Sequence, residues 1–374
     1  MSSQEEADVE TKVKEAHDRV VEGLKKKLLI AFVGKVSSGK SSLINAFLRR
    51  DRSTVVAPVG ACSGVTTEIK RFDLDDHVSI IDTPGLSDLK ASNSKITYDA
   101  LHTIDVGIFV VTGSADQDQK RDFDDLRKRC ARTFVVLNKI DAWDDLEEKA
   151  VHEVIAQWCK ELGTERLYPT CAKGYDPNTR ANLPMDIRGV DEFREDVERF
   201  VEAEGKALLL IRVMGEKRSY AAKIVAAAVA ATAAEALLPG AAAYITATQV
   251  AAIVSLYYVY TGRVISKSSA IALLPTFAAE AVGSTLFLWA KSILPPTGIV
   301  DAAAAGVAAT VTGAMLLAVN ALLASGSELD EKARIRAKYA ELHGSLKASI
   351  ANARLDDLRT GAFWQKLIHD LMYA

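Results

Sequence analysis

The chain has 374 residues, a net charge of −3 and four cysteines. That length allows two domains, each with its own core. Acidic and basic residues are interspersed and nearly balanced, so nucleic acid is not indicated as the main partner. The cysteines form no C-x-x-C pair, which disfavours a disulfide framework or a zinc site and favours a reducing compartment.

The first predicted element is an amphipathic helix, because apolar residues recur every three or four positions within the charged stretch 4–27. We assign residues 1–27 to this helix. Its acidic start has no apolar core and predicts no secretory leader, so we expect a cytoplasmic protein. The apolar stripe favours packing on the protein body, and a partner-binding helix is the alternative.

A phosphate-binding loop is indicated next. The apolar run 28–33 predicts a buried strand, and the spacing G-x-x-x-x-G-K-S follows it before a helical pattern. Its glycines let backbone N–H groups cradle phosphate oxygens. Lys40 can reach the β- and γ-phosphates, and Ser41 can place a hydroxyl on Mg²⁺. The predicted nucleotide-binding residues of this loop are Gly34, Ser37, Ser38, Gly39, Lys40, Ser41 and Ser42.

A second strand ends at Asp82 and is followed by the turn Thr-Pro-Gly85. At the carboxyl end of a strand, Asp82 can hold Mg²⁺ through water, and the Gly85 amide can sense a γ-phosphate. Strands and helices alternate up to about residue 205, which predicts an α/β domain with a mostly parallel sheet and helices on both faces. We assign residues 28–205 to this domain.

The tetrapeptide Asn138-Lys139-Ile-Asp141 follows another buried strand and indicates a guanine-reading loop. The Asp141 carboxylate can accept from the N1–H and the amine of guanine together. Adenine offers no such pair, and an unpaired buried carboxylate would cost about 1–3 kcal/mol. Asn138 can tie this loop to the phosphate loop, and the Lys139 stem can lie along the base.

A further stretch, Cys171-Ala172-Lys173, resembles the final guanine loop of GTPases, where serine usually takes the first place. Cysteine leaves the backbone contact from Ala172 available but puts its support by a hydroxyl in doubt. In their order along roughly half the chain, these motifs resemble those of translation-factor-class GTPases. The resemblance implies that Thr66 or Thr67, which fit equally well, closes on Mg²⁺ and the γ-phosphate as the first switch.

The chain departs from signalling GTPases at Leu86, where they place a water-orienting glutamine, so slow intrinsic hydrolysis is expected. Era-like and dynamin-like GTPases share this replacement, and several of them pair nucleotide domains and hold a monovalent cation on a phosphate-loop Asn or Ser. Ser37 stands at that position, which implies K⁺ or Na⁺, although a solvated loop serine fits as well. The predicted catalytic residues are Lys40, Ser37, Thr66, Thr67 and Gly85, and the predicted metal ligands are Ser41, Thr66, Thr67 and Asp82.

Residues 206–327 form a predicted alanine-rich domain of two helical hairpins, of which segments 241–261 and 299–325 are long enough to cross a bilayer. Basic flanks favour membrane contact. Glu280 favours a bundle core, because a lone carboxylate in lipid costs at least ~2.5 kcal/mol. Small residues four apart (Ala305, Ala309, Gly313) would let helices approach closely. Residues 328–374 predict amphipathic helices packed on the protein, or a membrane-surface or partner helix instead.

The helical domain resembles a hydrophobic domain of unknown function found behind Era-like GTPase domains, and the layout resembles immunity-related and dynamin-like GTPases. We therefore expect GTP hydrolysis to GDP with Mg²⁺, coupled to membrane association or to dimerisation through the GTPase domain. The alternative is a soluble switch whose helical domain binds a protein partner. A ribosome assembly factor is disfavoured, because no basic RNA-binding module is evident and nucleic acid is not an expected partner.

Overall fold

The structure is a computed structural model that describes residues 3–59, 70–83, 104–114, 117–180, 182–277, 302–351, 353, 357 and 360–373. The chain divides into two compact units. One is the continuous segment Lys26–Gly215, and the other combines Met1–Lys25 with Glu216–Ala374. The predicted Thr66, Thr67, Gly85 and Glu280 lie outside the described residues.

The described strands are β1 (Leu28–Val33), β2 (Lys70–Asp73), β3 (Val78–Thr83), β4 (Ile104–Val111), β5 (Cys130–Asn138), β6 (Tyr168–Lys173) and β7 (Asp186–Arg188). The described helices are α1 (Ser3–Leu24), α2 (Lys40–Phe47), α3 (Gln117–Arg127), α4 (Glu148–Leu162), α5 (Val190–Ala203), α6 (Ala207–Val213), α7 (Lys217–Glu235), α8 (Ala241–Thr261), α9 (Lys267–Leu273), α10 (Ala302–Ala324), α11 (Lys332–Ile350) and α12 (Gly361–Tyr373). Short 3₁₀ helices span Ile140–Trp143 and Leu274–Phe277.

The seven strands form one sheet in the order β2-β3-β1-β4-β5-β6-β7. The five central strands are parallel, and the two edge strands, β2 and β7, run antiparallel to their neighbours. Because parallel strands end at the same edge, the loops after β1, β5 and β6 and the last residue of β3 lie there. The predicted fold class, a mostly parallel α/β domain with a separate all-α region, is confirmed.

The sequence of β1 and the second halves of β4 and β5 are continuous apolar runs, as expected for strands covered by helices on both faces. On one face, Val33 of β1 lies in a buried cluster with Trp158 of α4. On the other face, the ring of Phe32 packs edge-on against Phe47 of α2, which in turn contacts Phe193 of α5. These contacts cover both faces of the sheet. The edge at which the parallel strands end is left available for a ligand-binding site.

The helical unit is built on α8 and α10, which lie within the predicted segments 241–261 and 299–325. Helices α1, α7, α11 and α12 contribute to the same apolar cluster. Val13 of α1 is fully buried in that cluster. The leading helix therefore shares a core with the C-terminal helices.

Helix α8 and the part of α10 from Ala304 to Ala324 have the length and composition of membrane-spanning helices. About two thirds of the first (67%) and most of the second (78%) are buried within the protein. Core helices of soluble proteins share these properties, so the pattern is a weak indication of membrane contact.

Polar side chains join α8 to α10 inside the apolar cluster. The Gln249 amide donates to Thr312 Oγ1 at 2.9 Å, and both side chains are fully buried. The Tyr260 hydroxyl donates to Asn320 Oδ1 at 2.8 Å. Such buried bonds fix the register of two otherwise featureless helices, because a slip would leave polar groups unpaired.

We expect Thr312→Val to lower the free energy of unfolding of the full chain by about 1–2 kcal/mol, because the buried Gln249 amide loses an acceptor. The measurement is denaturant unfolding followed by circular dichroism. The matched control is Thr310→Val on the same helix, since the Thr310 hydroxyl bonds only to Gly306 O of its own helix. Equal losses in both variants would contradict a cross-helix role for Thr312.

Candidate nucleotide-binding site

The phosphate loop between β1 and α2 contains two glycines whose places exclude any side chain. A Cβ on Gly34 would lie 2.1 Å from the carbonyl oxygen of Val110. A Cβ on Gly39 would lie 2.4 Å from Asn138 Nδ2, and Gly39 also adopts a left-handed φ of 84°. The loop is thus pressed against β4 and against the loop after β5.

Lys40 is held inside the phosphate loop. Its side chain is only 4% exposed, and Nζ donates to Gly34 O at 2.8 Å and to Lys35 O at 3.0 Å. Burial lowers the pKa of Lys40, and the nearby Asp82 carboxylate opposes this effect. The ammonium is therefore placed where the loop can present it to a phosphate group.

Ser41 and Asp82 meet at the predicted metal position. Ser41 Oγ donates to Asp82 Oδ2 at 2.8 Å, and Asp82 Oδ1 lies 3.9 Å from Lys40 Nζ. Burial raises the pKa of Asp82, whereas Lys40 and the Ser41 hydrogen bond lower it. A hydroxyl beside a carboxylate is the hard-oxygen donor set that Mg²⁺ prefers. Bound there by Ser41 directly and by Asp82 through water, Mg²⁺ would neutralise phosphate charge.

Unsatisfied polar atoms concentrate at the same place. Six buried side-chain atoms in the described part of the chain have no hydrogen-bond partner, and three of them are Ser38 Oγ, Asp82 Oδ1 and Thr83 Oγ1. Leaving such a group unpaired costs about 1–3 kcal/mol. Their clustering beside the phosphate loop is typical of a site whose ligand completes the bonding.

Asn138 joins the loops of the site. Its Nδ2 donates to Ser38 O of the phosphate loop at 2.9 Å, and its Oδ1 accepts from Thr170 Oγ1 of β6 at 3.2 Å. Asn138 and Thr170 are buried. One side chain therefore connects β5, β6 and the phosphate loop.

The two predicted guanine loops also meet. Asp141, whose side chain is 20% exposed, accepts from Lys173 Nζ at 3.1 Å, which raises the pKa of Lys173. Lys139 adopts a left-handed φ of 66°, and its stem lies beside Gly39. The phosphate loop and both guanine loops thus surround one region at the carboxyl edge of the sheet.

The structure places the remaining predicted residues as follows. Cys171 is fully buried and Ala172 is nearly so; both lie near the end of strand β6. Ser42 lies half-buried in the first turn of α2, and Ser37 is exposed with a left-handed φ of 65°. Thr66, Thr67 and Gly85 are not among the described residues, so their roles stay predictions.

Sequence reasoning missed strand β7, which pairs with β6 beside the guanine loops. Arg188 of β7 donates to both oxygens of Asp144 at 2.9 and 3.0 Å and to Asp186 at 2.8 and 2.9 Å. The only sequence signal was the short alternation Asp186-Ile-Arg188 before Gly189. Three residues are too few for the pattern to be recognised.

Comparison with known proteins agrees with this geometry. Residues 29–139 match the family described as 50S ribosome-binding GTPase. GTPase Der of Nitratiruptor sp. is 30% identical over 148 residues, which cover 37% of this chain and 30% of that protein. The tRNA modification GTPase MnmE of Campylobacter jejuni is 34% identical over 131 residues, covering 33% and 28%. GTPase Era of Rickettsia conorii is 25% identical over 193 residues, covering 48% and 56%.

This chain therefore spans between 28% and 56% of the length of these relatives. A solved structure of a probable GTP-binding protein engB aligns over 47% of the chain at 17% identity, with a TM-score of 0.31, which is too low to support a conclusion about this chain. The geometry of the site and the sequence matches agree in their similarity to GTPases of the translation-factor class, among them proteins of the Der and Era type.

We expect Lys40→Ala to lower the affinity for a fluorescent GTP analogue at least ~100-fold. The variant lacks the buried ammonium that donates a charge-assisted hydrogen bond to the phosphate. Titration of the full chain in Mg²⁺ buffer measures this. Lys35→Ala in the same loop is the control, since Lys35 is exposed. Retained affinity in Lys40→Ala would overturn the site assignment.

We expect Asp141→Asn to shift preference from guanine towards xanthine, because the 2-oxo group of xanthine suits an amide donor. Competition of GTP and XTP against the same fluorescent nucleotide measures the shift. Asp145→Asn, an exposed neighbour, is the control and should keep the preference for GTP. An unchanged preference in Asp141→Asn would mean that another residue reads the base.

Proposed function

We propose that this chain binds GTP and hydrolyses it to GDP with Mg²⁺. The observation that carries the proposal is the buried Asn138 side chain, which connects the phosphate loop to the strand of the final guanine loop. It brings Lys40 and Asp82 into one site with Asp141. The names of the matching relatives, all of them GTPases, support the same activity.

We further propose slow turnover in the isolated chain. Lys40 and the metal held by Ser41 and Asp82 would stabilise charge on the transferred phosphoryl group. Leu86 stands where a water-orienting glutamine is expected, so the chain needs that group from elsewhere. Thr66 or Thr67, and the Gly85 amide, are the proposed γ-phosphate sensors, because of their places in the sequence between the phosphate loop and the guanine loops.

The proposed role couples nucleotide state to membrane association or self-assembly, in the cytoplasm or at a membrane facing it. We propose that residues 28–205 form the domain that hydrolyses GTP and that residues 1–27 and 328–374 form flanking helices. Residues 206–327 form the helical domain that responds to the nucleotide state. Support comes from the two helices with the length and composition of membrane spans. A dimer through the GTPase domain, with K⁺ or Na⁺ held at Ser37, is the proposed source of the missing catalytic group.

The alternative is a soluble switch whose helical unit binds a protein partner. It is supported by the burial of both long apolar helices within the protein and by the polar bonds between them. Nucleic acid is not a proposed partner in either scheme, since the net charge of −3 offers no attraction for it.

The deciding experiment is GTP turnover against protein concentration, with and without liposomes of anionic lipid. Under the assembly proposal, turnover per molecule rises at least ~10-fold with concentration or liposomes, because a second copy supplies a missing group. Lys40→Ala at the same concentrations is the background control. A parallel series in K⁺ and in a bulky organic cation tests Ser37, and equal rates would remove the monovalent cation.

The outcomes separate the two schemes. A slow rate that is independent of concentration and lipid supports the soluble switch and contradicts coupling to membranes or assembly. An increase with liposomes alone supports membrane association. No turnover above the Lys40→Ala background under any condition would contradict the proposed hydrolysis.

A further inference from the structure

Strand β7 carries a hydrogen-bonded network behind the guanine loops. Arg188 engages both oxygens of Asp144, which directly follows the 3₁₀ helix containing Asp141. The same guanidinium engages both oxygens of Asp186. In the register of the antiparallel pair, Asp186 lies opposite Lys173 and Arg188 lies opposite Cys171. One side chain thus links the first guanine loop to the strand beside the second.

Cys171 lies opposite Arg188 in the β6–β7 pair, at the position where serine is usual. Burial, together with the nearby Asp186 carboxylate, raises the pKa of the Cys171 thiol to about 12. The group therefore stays a protonated thiol, which is a weak donor. A weak donor orients a loop poorly, so the support expected from a serine hydroxyl must come from other residues.

We propose that Arg188 is a positioning residue for guanine recognition, holding the loops of Asp141 and Ala172 at a fixed separation through Asp144 and Asp186. This inference rests on the proposed function, since it concerns the same nucleotide. Arg188 acts through its neighbours and does not touch the base.

The ion pair between Lys173 and Asp141, which also links the two loops, cannot hold them alone. Lys173 Nζ bonds to the Asp141 carboxylate itself, which is the group proposed to accept from guanine. Base binding therefore competes for that carboxylate. The Arg188 links use different oxygens, so they persist while Asp141 exchanges partners.

The exposure of the Arg188–Asp144 ion pair indicates that it positions the loops rather than stabilises the fold. The Arg188 and Asp144 side chains are 42% and 54% exposed, and ion pairs this exposed contribute little to folding. Their forked geometry nevertheless restricts direction, because two parallel hydrogen bonds fix the planes of both groups. Removing Arg188 should therefore loosen the loops without unfolding the domain.

The experiment measures dissociation of fluorescent GDP from the full chain by stopped flow, together with the ratio of GTP to ITP affinity. Inosine lacks the 2-amino group, so this ratio reports how well Asp141 is aligned with guanine. For Arg188→Ala we expect dissociation to quicken about 5- to 10-fold and the GTP/ITP ratio to fall at least ~3-fold, within the range for the loss of one ordinary hydrogen bond. Arg188→Lys should restore the dissociation rate and the GTP/ITP ratio only in part, because an ammonium cannot donate two parallel hydrogen bonds to one carboxylate.

The control is Arg166→Ala. Arg166 is also exposed and also bridges two carboxylates, Glu192 and Asp196, but it lies at the opposite end of β6. It should leave dissociation and the GTP/ITP ratio unchanged. Asp144→Asn combined with Arg188→Ala should be little worse than Arg188→Ala alone, because both changes break one contact.

Three results would overturn the inference: unchanged dissociation and ratio in Arg188→Ala, equal effects in Arg166→Ala, or additive effects in the double variant. A fall in melting temperature with the GTP/ITP ratio intact would mean that Arg188 is merely structural. Failure of the proposed function would show differently, as absence of nucleotide binding in the unaltered chain.

Discussion

The nucleotide site depends on one buried amide. Asn138 donates to the phosphate loop and accepts from β6, so both ends of its side chain are used. The Asn138 side chain lies so close to Gly39 that no larger residue fits at that position. The left-handed backbone of Gly39 begins α2, whose first N–H groups face the site. Loss of this amide would separate phosphate recognition from base recognition.

The outline of this site could be predicted because its chemistry is local in sequence. Gly34 to Gly39 connect β1 to α2, whose first residues are Lys40 and Ser41, and Asn138 to Asp141 run from the last residue of β5 into the loop after it. Continuous apolar runs such as 28–33 identified the central strands for the same reason. The spacing of motifs along the chain thus carried the fold class and the arrangement of the loops.

What escaped prediction depends on contacts between distant residues. β7 is only three residues long; it pairs with β6, and its Arg188 bridges to Asp144, 44 positions away. Likewise, the stripe on α1 predicted a packed helix but not its partner, since any apolar surface would serve. The polar pairs between α8 and α10 are equally long-range, and nothing near Gln249 indicates Thr312.

The helical unit is discontinuous in sequence, because α1 precedes the unit Lys26–Gly215 and the other helices follow it. During synthesis α1 therefore emerges about 190 residues before the helices whose core it shares. The unit Lys26–Gly215, being continuous, can complete its own fold in that interval. A fragment that begins after residue 25 lacks the α1 side chains that pack against α8, so the core of this unit needs both ends of the chain.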